Sequence, residues 1–297
     1  MRIREIKNKI NLIQNIYYLT QALELIAATK LKKLKNLTLN SRPFARKAIE
    51  ILIRLLQYQK FFRKKLHYFQ PQKSNKILAI VFASDRGFCG LYNKNIFKYA
   101  ENEIEKLKKT AEVELITIGK KAANFFKNKN YKIKIEFPEI KEFEEKEKSD
   151  ELFKFLLEFY QKAKYQMFPF FCTHYFTSFF QMPRTVQIFP PEEEKLRWMI
   201  KEITGEPILE KRLDYIFEPS FKEIFDVILF QIMTAEIYHA ILEARTSEEV
   251  SRMMAMKRAM DNAQEIIKDL TSKYNKAKQA QITAEVCEIT SAKEALI

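Results

Sequence analysis

The chain has 297 residues, of which 47% are hydrophobic and 30% charged, a composition typical of one or two folded domains and not of a disordered segment. Its three cysteines and three histidines are scattered without paired spacing, which argues against a disulfide-stapled secreted protein and a structural zinc site. The net charge is +14, and nearly all of the excess lies in the first 70 residues, where sixteen Lys and Arg stand against three Glu. Such a segment predicts an acidic neighbour, and charge alone leaves nucleic acid, anionic lipid and an acidic protein surface open.

Glycine and proline divide the chain into three parts. All four glycines and all nine prolines lie between Pro43 and Pro219, so that residues 1–42 and 220–297 contain neither. Because these two residues punctuate regular structure, their positions predict a helix, a mixed domain and a second helix. No run of about 18 apolar residues and no apolar leader is seen, so we expect no membrane span and no signal peptide.

The first predicted helix carries two apolar seams and then becomes basic. One seam is Ile3, Ile6, Ile10, Ile13 and Tyr17; the other is Leu12, Ile16, Leu19, Leu23 and Ile26. Two seams give the helix a wide apolar face. The run from Lys30 to Lys35 (KLKKLK) makes one side strongly basic. Pro43 is expected to kink or interrupt the helix before it resumes toward Leu66.

The middle region alternates strand and helix patterns. Strands are predicted over 76–83, 112–118, 131–137, 168–177 and 185–189. Helices are predicted from the loop SDRGFCG through residue 109, near 122–127 and over 150–164. This alternation predicts a mostly parallel sheet covered by helices, with residues 190–207 as a linker.

The last 78 residues hold one heptad register from Phe221 to Ala277, in which only His239, Thr246 and Glu249 interrupt the apolar character. A register this long predicts a coiled coil or a packed long helix, which would reach roughly 115 Å at 1.5 Å per residue. Because one helix ends at the middle domain and the other begins there, the two must run antiparallel if they pair.

The predicted fold is therefore a mixed α+β and α/β architecture, in which a long antiparallel coiled coil of the N- and C-terminal helices joins a central Rossmann-like α/β domain. The predicted domains are an N-terminal shaft helix (1–70), a central α/β domain and linker (71–207), and a C-terminal shaft helix (208–297).

The loop SDRGFCG follows a strand, which is where a phosphate-binding loop would lie. It lacks both G-x-G-x-x-G and the Walker GK[ST], and Gly119-Lys120-Lys121 has neither the upstream glycine nor a Ser or Thr. A structural strand-to-helix turn is the preferred interpretation. No Ser/His/Asp, Cys/His or paired-carboxylate pattern is evident, so we predict no catalytic residue, no cofactor and no metal.

Three local patterns carry a family resemblance: Ile3-Arg4-Glu5-Ile6 in the first helix, Ser84-Asp85-Arg86-Gly87-Phe88-Cys89-Gly90 with Asn93, and the C-terminal run of Arg252-Met253-Met254-Ala255-Met256-Lys257, Asp261-Asn262-Ala263 and Tyr274-Asn275-Lys276-Ala277-Lys278-Gln279. In this order they resemble the γ subunit family of F-type ATP synthases, along the whole chain. The sequence departs from the family pattern at Leu91, where a second glycine is usual, at Gln21, where a lysine is usual, and at Lys278, where an arginine is usual.

The resemblance implies a non-catalytic central rotor that transmits torque between the membrane c-ring and the α3β3 catalytic ring, so that proton flow is coupled to ATP synthesis. It implies one copy per complex, the α, β and ε subunits and the c-ring as partners, and no nucleic acid. It also implies a peripheral membrane location, by default on the cytoplasmic face of the bacterial inner membrane.

The same resemblance suggests contact residues. Those toward the catalytic ring are Leu23, Lys30, Lys32, Lys33, Lys278 and Gln279, followed by an apolar tail in a hydrophobic bearing. Those at the foot, toward the c-ring and ε, are Tyr215, Glu218 and Arg86. A different class of function, a basic coiled-coil protein that binds nucleic acid or acts as a scaffold, would explain the charge. It offers no account of the α/β domain or of the apolar tail.

Overall fold

The computed structural model describes residues 3–58, 72–137, 140, 144–191, 218 and 220–294, without the side chains of 38–46, 48–50, 52–58 and 293–294. The elements are α1 (Ile3–Tyr58), β1 (Lys76–Phe82), α2 (Tyr92–Lys108), β2 (Glu112–Ile118), α3 (Lys120–Asn128), β3 (Ile133–Phe137), α4 (Glu145–Gln161), β4 (Pro169–Tyr175), β5 (Gln181–Gln187) and α5 (Phe221–Glu294). The predicted order of elements and the predicted fold class are confirmed.

Of the two outcomes predicted at Pro43, a kink or an interruption, the interruption does not occur, because α1 is helical without a break from Ile3 to Tyr58. Proline removes one N–H donor from a helix but leaves the hydrogen bonds on either side in place, so a long helix can continue past it. The predicted continuation toward Leu66 and most of the linker over 190–207 lie outside the described residues.

The five strands form one sheet in the order β3-β2-β1-β4-β5. The first four are parallel, and β5 pairs antiparallel with β4 through a hairpin. Alternate residues of β1 pack into the cores on opposite faces of the sheet, because successive side chains of a strand point to opposite faces. Ile77, Ala79 and Val81 pack with α2 and α3, whereas Leu78 and Ile80 pack with α4 and α5. Helices therefore cover both faces of the sheet, in agreement with the sequence-based prediction.

The first part of α5 runs along β4 from its amino end to its carboxyl end. Near the amino end, Phe230 packs against Phe153 with ring centroids 5.8 Å apart, and Phe153 packs against Phe189 at 6.1 Å. The carbonyl of Phe189 accepts a hydrogen bond from the residue that precedes β4. Near the carboxyl end, Glu243 Oε2 lies 2.6 Å from Nδ1 of His174. This direction fixes which loops lie near which end of α5.

By length and composition α5 could cross a membrane, since one 18-residue window has a mean hydropathy of 1.4, and 39% of that window is buried. The sequence-based expectation of no membrane span rested on the lack of an uninterrupted apolar run, and this window is not an uninterrupted run. The buried residues of α5 between Phe225 and Ala244, apart from Leu242, belong to the core against the sheet. A core helix meets the same length and composition criterion.

The chain divides into two compact units, one of Lys30–Val250 and one of Met1–Thr29 with Ser251–Ile297. In the second unit the predicted heptad seam of α5 is confirmed by burial. Ala263 is buried and Ile267, Leu270, Tyr274 and Ala277 are half-buried, whereas the described residues between them are exposed.

The first predicted seam of α1 is likewise at least partly buried throughout, but the second seam is not. Leu12, Ile16, Leu19 and Ile26 are 41–61% exposed, and of this seam only Leu23 is half-buried. Within the described part of the chain, therefore, one of the two apolar seams of α1 is covered and the other is largely exposed.

Candidate functional site

The basic segment of α1 presents its lysines on the side opposite to its buried leucines. Leu31 and Leu34 are buried, whereas Lys32 and Lys33 are exposed. Residues three and four apart share one side of a helix, so the leucines hold α1 against its own unit and the two lysines point away from it. The sequence predicted this charged side, and the structure gives it an exposed position suited to weak electrostatic contacts.

The remaining predicted residues of this segment are less accessible. Lys30 and Leu23 are half-buried. Lys35 is also half-buried, and its ammonium nitrogen lies 5.5 Å from the ring centroid of Tyr175 at the carboxyl end of β4. This cation–π contact connects α1 to the sheet. Lys35 therefore has a packing role that Lys32 and Lys33 do not share.

Lys278 and Gln279 lie where the buried seam of α5 stops. Ala277 is half-buried, and every described side chain from Lys278 to residue 292 is exposed. The exposed residues include Ile282, Val286 and Ile289, which follow one another at spacings of four and three and therefore share one side of the helix. The residues predicted to make the polar contact and those of the predicted apolar tail are thus all exposed and accessible to a partner.

The SDRGFCG loop is a closed turn held by its own side chains. The hydroxyl of Ser84 donates to the carbonyl of Arg86 at 2.6 Å, and the backbone N–H of Ser84 donates to Oδ1 of Asn93 at 3.2 Å. The N–H of Lys120, at the start of α3, donates to Oδ1 of Asp85 at 3.0 Å. Two backbone donors at this turn, the N–H groups of Ser84 and Lys120, are therefore taken by side chains of the protein.

Two buried titratable groups near this end of the sheet are held neutral. The hydroxyl of Tyr92 donates to the carbonyl of Ala244 at 3.1 Å, and burial raises the pKa of this phenol well above 10.0. Burial also raises the pKa of the Cys172 thiol to about 12. A thiol with that pKa is a poor nucleophile at neutral pH, so Cys172 is a packing residue. Among the described residues no group of three or more His, Cys, Asp and Glu is arranged to hold a metal ion.

The structure does not bring the predicted foot residues together. Arg86 follows the carboxyl end of β1, where Tyr92 is bonded to Ala244 of α5. Glu218 is exposed and precedes the start of α5 at Phe221, near the amino end of β4. At about 1.5 Å per residue, the helix between Phe221 and Ala244 separates these ends by roughly 35 Å. Tyr215 lies outside the described residues.

A polar network that the sequence analysis missed joins the edge hairpin to α5. Oε2 of Glu243 accepts a hydrogen bond from Nη2 of Arg184 at 2.8 Å and lies 2.6 Å from Nδ1 of His174. All three side chains are largely buried. The missed signal was Glu243 itself, a carboxylate within the packed part of the heptad pattern, where burial requires a partner.

The sequence analysis also missed the aromatic side chains of the hairpin between β4 and β5. Phe176, Phe179 and Phe180 are exposed there. The turn sequence Phe-Thr-Ser-Phe-Phe was the available signal, because hairpin turns usually consist of Gly, Asn, Asp and Ser.

Comparison with known proteins agrees with this architecture. The model of the ATP synthase protein family matches residues 2–296. An ATP synthase gamma chain of Protochlamydia amoebophila is 35% identical over 99% of this chain and 99% of its own length, and one of Amoebophilus asiaticus is 30% identical over 99% and 98%.

Solved structures of low sequence identity share the fold. A chain of the Euglena gracilis mitochondrial ATP synthase (OSCP/F1/c-ring) superposes with a TM-score of 0.64 at 18% identity, covering 99% of this chain and 94% of that one. A chain of the Tetrahymena thermophila central stalk and c-ring gives 0.57 at 19% identity, covering 81% and 99%. With a family match across residues 2–296 and relatives that are 30–35% identical over 98–99% of their own length, the chain belongs to the ATP synthase γ chain family.

Proposed function

We propose that this chain is the central rotor subunit of an F-type ATP synthase and carries torque between a membrane c-ring and an α3β3 catalytic ring. The observation that carries the proposal is the family match over residues 2–296, which includes both long helices and the α/β domain. A nucleic-acid-binding coiled coil would explain the basic segment but not a match of that extent.

The subunit is proposed to be non-catalytic. The buried thiol of Cys172 and the buried phenol of Tyr92 are held neutral. At the SDRGFCG loop, the side chains of Asn93 and Asp85 accept the backbone N–H groups of Ser84 and Lys120. ATP chemistry would then belong to the α and β subunits, while this chain converts rotation into changes in their conformation. The coupling proton flow crosses the membrane through the c-ring and its partners.

Two groups of residues would face the catalytic ring. On α1 these are Lys32 and Lys33, with Lys30 and Leu23 beside them, and on α5 they are Lys278 and Gln279 at the start of the fully exposed tail. A rotor needs contacts that form and break at each step. Exposed ion pairs, each contributing about 0–1 kcal/mol, meet that requirement.

The contacts predicted for the foot of the rotor involve Tyr215, Glu218 and Arg86. Glu218, at the amino end of α5, and Tyr215 remain our candidates for contact with ε and the c-ring. The loop of Arg86, by contrast, lies at the carboxyl end of the sheet, the same end at which Lys35 packs on Tyr175. We therefore assign Arg86 to the surface that faces the catalytic ring. The relatives of this chain are bacterial, which supports the cytoplasmic face of the inner membrane as its location, with one copy per complex.

The test reverses three charges on α1, Lys30→Glu, Lys32→Glu and Lys33→Glu, in a reconstituted complex with α and β subunits. Lys35 is left unchanged because its contact with Tyr175 would confound folding with function. The expected result is lower torque in single-molecule rotation and slower ATP hydrolysis, with the melting temperature of the chain unchanged.

The matched control reverses three exposed lysines on α2 and α4, or next to them: Lys109→Glu, Lys146→Glu and Lys154→Glu. It makes the same change in net charge away from α1 and should leave rotation unaffected. Equal torque and hydrolysis rates in both triple variants would refute the role of the α1 lysines. Failure of the unmodified chain to assemble with α and β would refute the rotor proposal itself.

A further inference from the structure

Glu243 of α5 is bonded to both strands of the edge hairpin. Its Oε2 atom accepts a hydrogen bond from Nη2 of Arg184 on β5 at 2.8 Å and lies 2.6 Å from Nδ1 of His174 on β4. All three side chains are largely buried, so little water is present to replace these bonds. The hairpin therefore supplies the partners that the carboxylate of Glu243 requires.

Arg245, two residues further along α5, is bonded to a different part of the same unit. Its Nη1 atom donates to the carbonyl of Ile140 at 2.7 Å and lies 3.0 Å from Oε1 of Glu145, the first residue of α4. Both charged side chains are largely buried. The bond is therefore formed where the local dielectric constant is low and charge-assisted hydrogen bonds are strong.

The two ion pairs hold α5 from nearly opposite sides. An α-helix has about 3.6 residues per turn, so side chains two positions apart point about 200° from each other around the helix axis. The hairpin holds Glu243 on one side, and α4 holds Arg245 on the other. We name the two ion pairs, Glu243 with Arg184 and Arg245 with Glu145, the α5 clamp. If α5 turned about its axis, both pairs of the clamp would move out of alignment.

Apolar packing and polar bonds oppose such a turn differently. α5 also packs against the sheet through apolar residues such as Leu229, Met233 and Ile237. The hydrophobic effect has no direction and depends mainly on the area removed from water, so a small rotation of the helix changes it little. A hydrogen bond weakens steeply once its angle falls below about 120°. The α5 clamp therefore opposes small rotations that the apolar core tolerates.

The edge hairpin also contacts the first long helix. Tyr175 follows His174 on β4, and the ammonium nitrogen of Lys35 on α1 lies 5.5 Å from its ring centroid. Adjacent residues of one strand thus contact α1 and α5. The hairpin connects both long helices to the sheet within the unit Lys30–Val250.

We propose that the α5 clamp carries torque between the long helices and the α/β domain, with Glu243 and Arg245 as positioning residues that fix the rotational angle of α5. The inference rests on the proposed rotor function. A rotor whose long helix could turn within its own domain would lose rotation between its two ends. Without the clamp the chain should fold and assemble but twist more easily under load.

The experiment replaces one ion pair of the clamp with apolar side chains of similar length, in Glu243→Met with Arg184→Met. Replacing a buried ion pair in this way is often neutral or stabilising, so the melting temperature should not fall. The parent chain for all variants carries Lys98→Cys, at an exposed position on α2, for attachment of a bead. It also carries Cys287→Ser, because Cys287 is exposed whereas the other two cysteines are buried.

The measurement is the torsional stiffness of the chain in a complex with α and β subunits, obtained from the angular fluctuations of the bead during catalytic pauses. Because one of two opposed ion pairs is lost, the stiffness of the double variant should be roughly half that of the parent chain. ATP hydrolysis without load should be unchanged. Glu243→Gln keeps an oxygen acceptor for Arg184 and should give an intermediate stiffness.

The matched control is Lys148→Met with Glu151→Met. It removes an ion pair of 2.7 Å that lies within α4 and connects no other element, so the stiffness should equal that of the parent chain.

The outcomes separate the two proposals. A double variant as stiff as the α4 control, whether or not its melting temperature changes, overturns the clamp and leaves the rotor function standing. If the double variant does not fold, Glu243→Gln decides, and a stiffness equal to that of the parent chain overturns the clamp. A parent chain that does not assemble with α and β subunits overturns both proposals.

Discussion

Gly119 is the position at which a single added methyl group should most disturb the end of the sheet that carries Arg86. It lies between β2 and α3 with φ 95° and ψ 137°, a conformation that only glycine adopts readily. A Cβ built there would lie 2.1 Å from the carbonyl oxygen of Ala83 and 2.9 Å from its carbonyl carbon. Both are backbone atoms at the end of β1, so no side-chain rotation relieves the contact.

Backbone strain and overpacking together set the expected loss of stability in Gly119→Ala. Holding a non-glycine residue in this backbone region costs about 1–3 kcal/mol. Overpacking against fixed neighbours adds about 1–3 kcal/mol. We therefore expect Gly119→Ala to lower the free energy of unfolding by roughly 2–6 kcal/mol. For a unit of this size each kcal/mol lowers the melting temperature by about 2–4 °C, so the total fall should exceed about 4 °C.

Gly87 provides the matched control, since it lies in the neighbouring SDRGFCG loop. A Cβ at Gly87 would meet no atom within 4 Å, and its φ lies outside the positive range. Gly87→Ala removes the same residue type but should change the free energy of unfolding by less than about 1 kcal/mol, with stabilisation possible because alanine restricts the unfolded chain. Thermal and urea unfolding of the two purified full-length variants compares them directly. If Gly119→Ala is as stable as Gly87→Ala, the close approach of Gly119 to Ala83 is not a constraint on this fold.

Two further predictions concern the buried thiol and the exposed tail. Burial raises the pKa of Cys172 from 9.0 to about 12, so the folded state binds the proton more tightly and loses stability as pH rises from about 9. At about pH 10.5 the free energy of unfolding, measured in urea, should be lower by about 2 kcal/mol, and Cys172→Ala should lack this pH-dependent loss. In the native chain at pH 8, iodoacetamide should modify the exposed Cys287 and leave Cys172 unmodified. Removal of all residues after Ala277 should change the free energy of unfolding by less than about 1 kcal/mol, because the described side chains beyond it are exposed. The same truncation should reduce torque in the reconstituted complex, and a large fall in melting temperature would contradict the assignment of the tail as an unpacked extension.

The elements of the α/β domain and the register of α5 could be predicted because they depend on local patterns. β2 spans Glu112–Ile118, the range predicted, since a buried parallel strand is a continuous apolar run bounded by polar residues. The seam of α5 could be predicted through Ala277 because a heptad repeat states which side of a helix is covered.

The features that could not be predicted depend on contacts between distant residues. The need for glycine at position 119 arises from the pairing of β1 with β2, which brings Ala83 against it. The separation of Arg86 from Glu218 depends on the direction in which α5 crosses the sheet, and no local pattern specifies that direction. Whether the second seam of α1 is buried also could not be predicted from the sequence, because an apolar seam has the same sequence whether its partner is in the chain or in another subunit.

The exposed apolar residues of this chain are more informative about its partners than its charges are. A monomeric protein rarely exposes large continuous apolar areas, because each one exposes the chain to unwanted association. Here the second seam of α1, the tail of α5 and the phenylalanines of the hairpin between β4 and β5 are all exposed. The basic segment of α1 belongs to the same helix as the first of them. Charges guide approach over distances near the Debye length of about 8–10 Å and tolerate sliding, whereas apolar side chains stabilise a contact only when they are in register with a partner. A rotor needs both properties, so its resting positions should depend on its exposed apolar residues, and its passage between them on residues such as Lys32 and Lys33.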